Sequence, residues 1–309
     1  MDQFFHLGLL DNRYILLKEL DSSFISTIYI AFDSLTNQIR LVKIFHKKYA
    51  SFVKEMELNT KIHTPENPFF IKYINSSSGP LINDDIEENN VSYIILEFAS
   101  KGDFLKYVNL KEKGFDERIC KIIIAKILKA IQFLHERGIC YRNLQLKNIF
   151  LDGENYNIKL GNLEFCSFFI NKIGKKILCK DKIKIESIAP ELLKGKSYDG
   201  EKVDIFDLGI LLLSLITGVQ YNFDIIKKLY TFIKNNKVEH FWKLLEIKEL
   251  SPAFKKLFIK MVNINPKKRP TIGEIYNDEW MNEINILNEE ELNNFVQELR
   301  NELRRRDKY

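Results

Sequence analysis

Cysteine is scarce: Cys120, Cys140, Cys166 and Cys179 are the whole complement of 309 residues, and no two of them form a C-x-x-C pair. Without regular spacing they suggest neither a disulfide framework nor a metal ribbon. They read as small buried hydrophobes or idle thiols in a reducing compartment. Strong charge of one sign is missing too, since the formal net charge is only +5. That gives no reason to expect a nucleic-acid partner, and scattered lysines are accounted for as a solvated surface. There is no long apolar run. The most apolar stretch, Leu208 to Ile216, is too short to span a bilayer, and the first residues, MDQFFHLGLLDN, show neither a basic segment nor a cleavage site. We therefore expect an intracellular protein without membrane attachment. No internal repeat is visible.

What is present is enough apolar content, 45%, to bury a large core, so one big domain or a two-lobed unit is expected. Tyr14–Leu20, Ile25–Phe32 and Gln38–Phe45 alternate or are β-branched, with a turn at Ser34–Asn37, and read as consecutive antiparallel strands. Ser51–Ile62 has helical spacing, and Phe69–Ile74 returns to strand. Asn75–Asn90 is polar and acidic and reads as an exposed loop, and Val91–Phe98 is a last strand. Beyond Gly102 the pattern turns helical, most clearly over Glu117–Glu136, with short strands near Ile149–Leu151 and Asn157–Leu160. The fold class is α+β: a small antiparallel-sheet lobe with one helix over residues 1–98, a larger helical lobe over 99–281, and a C-terminal amphipathic helix within 282–309. A cleft between two such lobes is the usual place for a ligand.

The segment FLHERGICYRNLQLKNIFLDGENYNIKLGNLEF, Phe133 to Phe165, resembles the catalytic and metal-binding loops of protein kinases, written H-R-D-L-K-P-E-N and D-F-G. Further matches follow in order: Lys43 in RLVK, Glu55, the ILEFASKGD stretch around Glu97, Ala189-Pro190-Glu191, DIFDLG from Asp204, and Arg269 in PKKRPT. The resemblance covers about residues 14–281 and is nearest to serine/threonine kinases of the calmodulin-dependent type. It implies a bilobal kinase fold with an intact scaffold. Asp204 is expected to anchor the catalytic loop from below and touch His135, and Glu191 and Arg269 to form a buried ion pair. In a regulated kinase Arg142 would pair with a phosphorylated residue of the activation segment, and no obvious acceptor is expected to face it here. Tyr141 and Leu163 are swaps that active kinases also make.

The same resemblance implies that the chemistry is depleted, since phosphoryl transfer is mainly positioning and electrostatics. Asn143 stands at the catalytic aspartate, and Gln145 at the lysine that steadies the transferred group. Lys184 stands at the threonine bridging those two. An amide cannot take a proton there at neutral pH, and a general base is typically worth about 10²–10⁴ in rate. Asn162 replaces the principal Mg²⁺ aspartate and Asn148, the other metal ligand, is itself neutral, whereas Mg²⁺ prefers carboxylate and phosphate oxygens. Glu164, at the glycine position of the metal-binding motif, is the candidate acidic stand-in, and a surface charge is the commoner fate of such a residue. Where the family has a glycine-rich turn, this chain has Asp21, Ser23 and Ser26. Leu41 and Phe150, both larger than the family's habit, are expected to fill the adenine slot. Lys43 and Glu55 remain as either a phosphate clamp or a leftover ion pair, and Asn59 takes an apolar spine position.

The activation segment, between Asn162 and Glu191, offers only Ser167 and Ser187 as hydroxyls and carries Lys172, Lys175, Lys176, Lys180, Lys182 and Lys184. These lysines are either a solvated loop or a dock for an acidic partner. At the C-terminus Asn288 and Glu291 resemble a capping box. Leu292, Phe295, Val296, Leu299 and Leu303 share one helical face, and Arg304, Arg305 and Arg306 suit the dipole at the helix end. That helix, Leu292–Arg306, either packs on its own lobe or binds a partner with an acidic surface, such as a tubulin tail. The expectation is a cytoplasmic pseudokinase, a scaffold or binding module without metal or nucleotide cofactor, in a larger assembly that would include cytoskeletal or ciliary ones. The alternative is a weak or atypical ATP-dependent serine/threonine kinase, binding ATP with or without Mg²⁺.

Overall fold

The computed structural model describes residues 7–46, 49–64, 67–83, 87–111, 113–153, 157–171, 173–180, 189–221, 223–235, 237–245, 250–282 and 289–306. The chain divides into two compact units, Met1–Ser100 and Lys101–Tyr309.

In the first unit, β1 (Gly8–Leu10), β2 (Tyr14–Ser22), β3 (Ser26–Asp33), β4 (Gln38–Phe45), β5 (Tyr73–Ile82) and β6 (Glu87–Glu97) close a barrel in the order β1-β2-β3-β4-β6-β5, and helix α1 spans Tyr49–Ile62. The β3–β4 turn needs a left-handed residue, supplied by Asn37 at φ 54°, and its N–H bonds Asp33 O at 2.8 Å. Alternation then sends Leu16, Ala31, Val42, Ile44, Tyr93 and Ile95 inward, while Phe45, Phe52 and Ile94 form a second cluster with α1.

Two expectations are corrected here. The polar stretch Asn75–Asn90 is not a loop but most of a β5–β6 hairpin, and the strand expected at Phe69 begins only at Tyr73. Serines satisfy the solvent side of that ladder by pairing across it: Ser78 Oγ lies 3.1 Å from Ser92 Oγ. Backbone pairing with β1 (Leu9↔Ile82, Leu10↔Leu81) then closes the barrel without an apolar pattern to announce it. Glycine is required at Gly79, where a Cβ would come within 2.9 Å of Asp11 Cβ.

The second unit contains α2 (Phe104–Val108), α3 (Glu117–Glu136), β7 (Ile139–Cys140), β8 (Ile149–Asp152), β9 (Asn157–Leu160), β10 (Ser167–Phe168), α4 (Gly200–Thr217), α5 (Phe223–Lys234), α6 (Val238–Leu244), α7 (Pro252–Met261), α8 (Ile272–Tyr276) and α9 (Glu289–Arg306). Asp116 caps α3 by accepting from Ile119 N at 2.8 Å, and a capping box is complete at Thr271/Glu274 of α8. Apolar residues surround α4 on every side, as befits a central helix, and it is buried from Val203 to Thr217. The last helix, α9, packs on α2 and α3 of its own unit. Leu292, Val296 and Leu299 are buried, Phe295 meets the Phe115 ring edge-on at 4.8 Å, and Arg118 pairs with Glu291 at 2.6 Å. Asn288, expected as its cap, lies outside the described residues. Among the described residues no helix is long and apolar enough to cross a membrane.

Candidate functional site

The candidate residues fall in both units, and each group is described within its own. In the first, β4 carries Lys43 and α1 carries Glu55. Their Nζ and Oε2 are 2.7 Å apart, with side chains only 2% and 5% exposed. So buried a pair is held by geometry, because either charge alone would be left desolvated. One turn later, Asn59 is also buried and donates to Glu55 O at 2.9 Å, spending its amide on its own helix. Leu41 is buried in β4, opposite Leu96 of β6.

The β2–β3 turn holds the residues matched to the glycine-rich loop. Ser23 Oγ accepts from the N–H groups of Ile25 and Ser26, each at 3.1 Å, and donates to Ser26 O at 3.2 Å. Amides that point outward from a glycine turn can bind anions; here two of them are satisfied by a side chain of the turn itself. Asp21 is exposed on β2 beside it.

In the second unit the catalytic-loop segment hangs from Asp204 at the start of α4. This fully buried carboxylate accepts from Tyr141 N at 2.9 Å and Arg142 N at 2.6 Å, and bonds His135 Nε2 at 2.7 Å. Arg142 takes a left-handed backbone (φ 63°), donating from Nε to Phe165 O at 2.8 Å and from Nη1 to the Tyr198 hydroxyl at 2.5 Å. Tyr141 donates its hydroxyl to Gly161 O at 2.5 Å, and burial pushes that phenol's pKa well up. Glu191 and Arg269 meet in a bidentate fork at 2.5 and 2.7 Å.

Above that anchor runs a chain of amides. Gln145 Nε2 donates to Asn143 Oδ1 at 3.0 Å, Asn148 Nδ2 donates to Asn143 O at 2.9 Å, and Asn162 Nδ2 donates to Asn148 Oδ1 at 3.4 Å. Asn162 sits at φ 52°, a left-handed position that asparagine tolerates better than most residues. Gln145 Oε1 and Asn162 Oδ1 are buried and find no hydrogen-bond partner among the described residues. A divalent magnesium site prefers anionic oxygens, and this chain supplies neutral carboxamides, two of whose oxygens, Asn143 Oδ1 and Asn148 Oδ1, already face an N–H. Among the described residues no group of three or more His, Cys, Asp or Glu side chains could hold a metal ion. By their chemistry, neutral carboxamides at these positions are weak ligands for Mg²⁺. Glu164 is half-buried in the turn after Asn162 and is engaged in interactions of its own. Phe150 lies half-buried on β8, paired with Lys159 of β9.

Lys172, Lys182, Lys184 and Ser187 lie outside the described residues. Of the remaining activation-segment lysines, Lys175 and Lys180 are exposed, whereas Lys176 is tied to Asp199, at 3.0 Å, and to Glu201. The sequence reading missed two groups: Tyr198 as the partner of Arg142, and the Ser23 hydroxyl as the acceptor inside its turn. Arg142 and Tyr198 are 56 positions apart, so no local pattern joins them.

A family model described as "Protein kinase domain" matches residues 16–281. The chain is 34% identical over 197 residues to "Serine/threonine-protein kinase kin-29" of Caenorhabditis elegans, covering 62% of this chain and 22% of that protein. To "Probable serine/threonine-protein kinase 2" of Plasmodium falciparum it is 28% identical over 291 residues, covering 91% of this chain and 53% of that one. With "Maternal embryonic leucine zipper kinase" of Danio rerio it shares 28% over 200 residues, 63% of this chain and 28% of the relative. The chain thus spans about half or less of the length of these relatives. A match running from β2 to the residues before α9, over an anchored catalytic-loop segment and a sheet-rich unit followed by a helical one, leaves one conclusion: the chain belongs to the protein kinase domain family.

Proposed function

We propose that this kinase domain has given up efficient phosphoryl transfer and serves as a binding or scaffold module. The observation carrying this reading is the amide chain Asn143–Gln145–Asn148–Asn162, which has no carboxylate to accept a proton or to hold a metal. Loss of a general base alone removes about 10²–10⁴ in rate, and the missing metal ligand adds to that. Ser23, which satisfies the amides of Ile25 and Ser26, supports the same reading. The second reading is an ATP-dependent serine/threonine kinase working slowly through amide ligands. It is favoured by the relatives' names, all of them kinases, and by the intact Lys43–Glu55 pair. Family resemblance supports that second reading better; the side chains at the two depleted positions support the first.

A radiolabelled ATP assay on the purified chain separates them. On the first reading, incorporation stays at background and is the same in Lys43→Ala, while the double variant Asn143→Asp/Asn162→Asp raises it. Lys43-dependent incorporation by the unmodified chain would establish the second. For a partner we propose an acidic protein surface. With the apolar face of α9 buried in its own unit, the exposed side chains of Arg304 and Arg305 in α9 and of Lys175 and Lys180 in the activation segment are basic groups open to it.

A further inference from the structure

Cys140 ends β7, directly before the catalytic-loop segment, and Cys179 lies in the activation segment, 39 positions on. Their sulfurs are 3.7 Å apart in the buried core of the second unit. Each cysteine is held by backbone on its own side. Cys140 pairs with Ser167 across the β7–β10 ladder, and Cys179 exchanges two backbone hydrogen bonds with Tyr198, at 2.9 and 3.0 Å. Space around the pair is kept by Gly200, the first residue of α4. A Cβ there would fall 2.8 Å from Cys140 Cβ and 3.1 Å from Cys179 Sγ. Cys120 is also buried, but its sulfur faces the Phe115 carbonyl instead, at 3.9 Å.

We propose that Cys140 and Cys179 are a two-electron oxidation site that closes to a disulfide, tying the activation segment to the strand that leads into the catalytic loop. The oxidant is a peroxide. One thiol, as thiolate, attacks a peroxide oxygen to give a sulfenic acid and one water. The second thiol then displaces hydroxide from that sulfur, forming the S–S bond and a second water. Two thiols are oxidised and one H₂O₂ is reduced. The separation is already short, so rotation about the Cα–Cβ bonds and a small backbone adjustment bring the sulfurs to bonding distance. The S–H···S contact with Cys179 and then burial push the Cys140 thiol's pKa up, so the reaction proceeds through local opening and is slow compared with that of an exposed thiolate. This inference is independent of whether the domain transfers phosphate.

The test is peroxide treatment of the full chain, followed by intact mass and a non-reducing peptide map. The expected result is loss of about 2 Da, a Cys140–Cys179 cross-linked peptide reversed by dithiothreitol, and a higher melting temperature for the oxidised form. Cys179→Ser should abolish the cross-link and the melting shift, while Cys120→Ser retains both. A map of the unmodified, folded protein in which both cysteines stay reduced, or in which oxygen adducts collect at Cys120 or Cys166 instead, would overturn the proposal whatever the variants do.

Discussion

Replacing a carboxylate by a carboxamide changes one atom's identity and a whole unit of charge. At Asn143 and Asn162 the amides retain hydrogen bonding but carry no charge, and a neutral amide is a weaker base and a weaker Mg²⁺ ligand than a carboxylate. The opposite case is Asp33, a carboxylate kept ionised. The Arg13 guanidinium, bonded at 2.7 and 2.8 Å, holds its pKa far below the ordinary range, with the Thr36 hydroxyl and Leu35 N–H contributing. Because the folded pKa is depressed, this group stabilises the fold above its unfolded pKa of about 3.9, and the contribution fades as pH falls toward the folded value. We expect Asp33→Asn to lower the urea midpoint at pH 7, and the gap from the unmodified protein to shrink at about pH 3. A gap of equal size at both pH values would mean that the charge is not what matters.

Among the elements, the helices with periodic apolar faces and the Val91–Phe98 strand were legible in advance, whereas β5 and the first residues of β6, read as a loop, were not. The serines of β5 carry no alternation, and that strand is held by backbone ladders to β1 and β6, which no side-chain pattern reports, while β6 also pairs with β4 and buries Val91, Tyr93 and Ile95. For α9 the apolar stripe was evident and its destination was not, since a stripe shows that a face must be covered and is silent on the cover. Here α2 and α3 cover it. Leu299 is 1% exposed in that contact, so Leu299→Ala should cost about 2–5 kcal/mol of stability by denaturant titration. Loss near zero would mean that α9 leaves its unit in solution.

At the scale of the whole molecule, long-range polar links organise the second unit. Glu191 and Arg269 are 78 positions apart, and Arg269 additionally donates to Lys202 O at 2.6 Å and Asn263 O at 2.9 Å. Removing the carboxylate by Glu191→Ala strands a guanidinium whose side chain is fully buried. The expected loss is about 3–5 kcal/mol, read as a fall in the denaturation midpoint. Arg269→Ala in the Glu191→Ala background should add much less than it does alone, because the two act as one unit.

Linear order alone determined the α+β two-lobed pattern through its strand and helix periods, and the resemblance of its spaced motifs to protein kinases pointed to the kinase fold and to the residue types at each chemical position, because all of these are local properties of a chain. Folding in three dimensions decided what those residues do with their polar atoms. The Ser23 hydroxyl turned inward on its own turn, Asn162 reached Asn148, Arg142 was satisfied by Tyr198, and two distant cysteines were set side by side. Hydrogen-bond partners and desolvation depend on which segments meet, and in a chain this long the meeting segments lie tens of positions apart, beyond the reach of any local pattern.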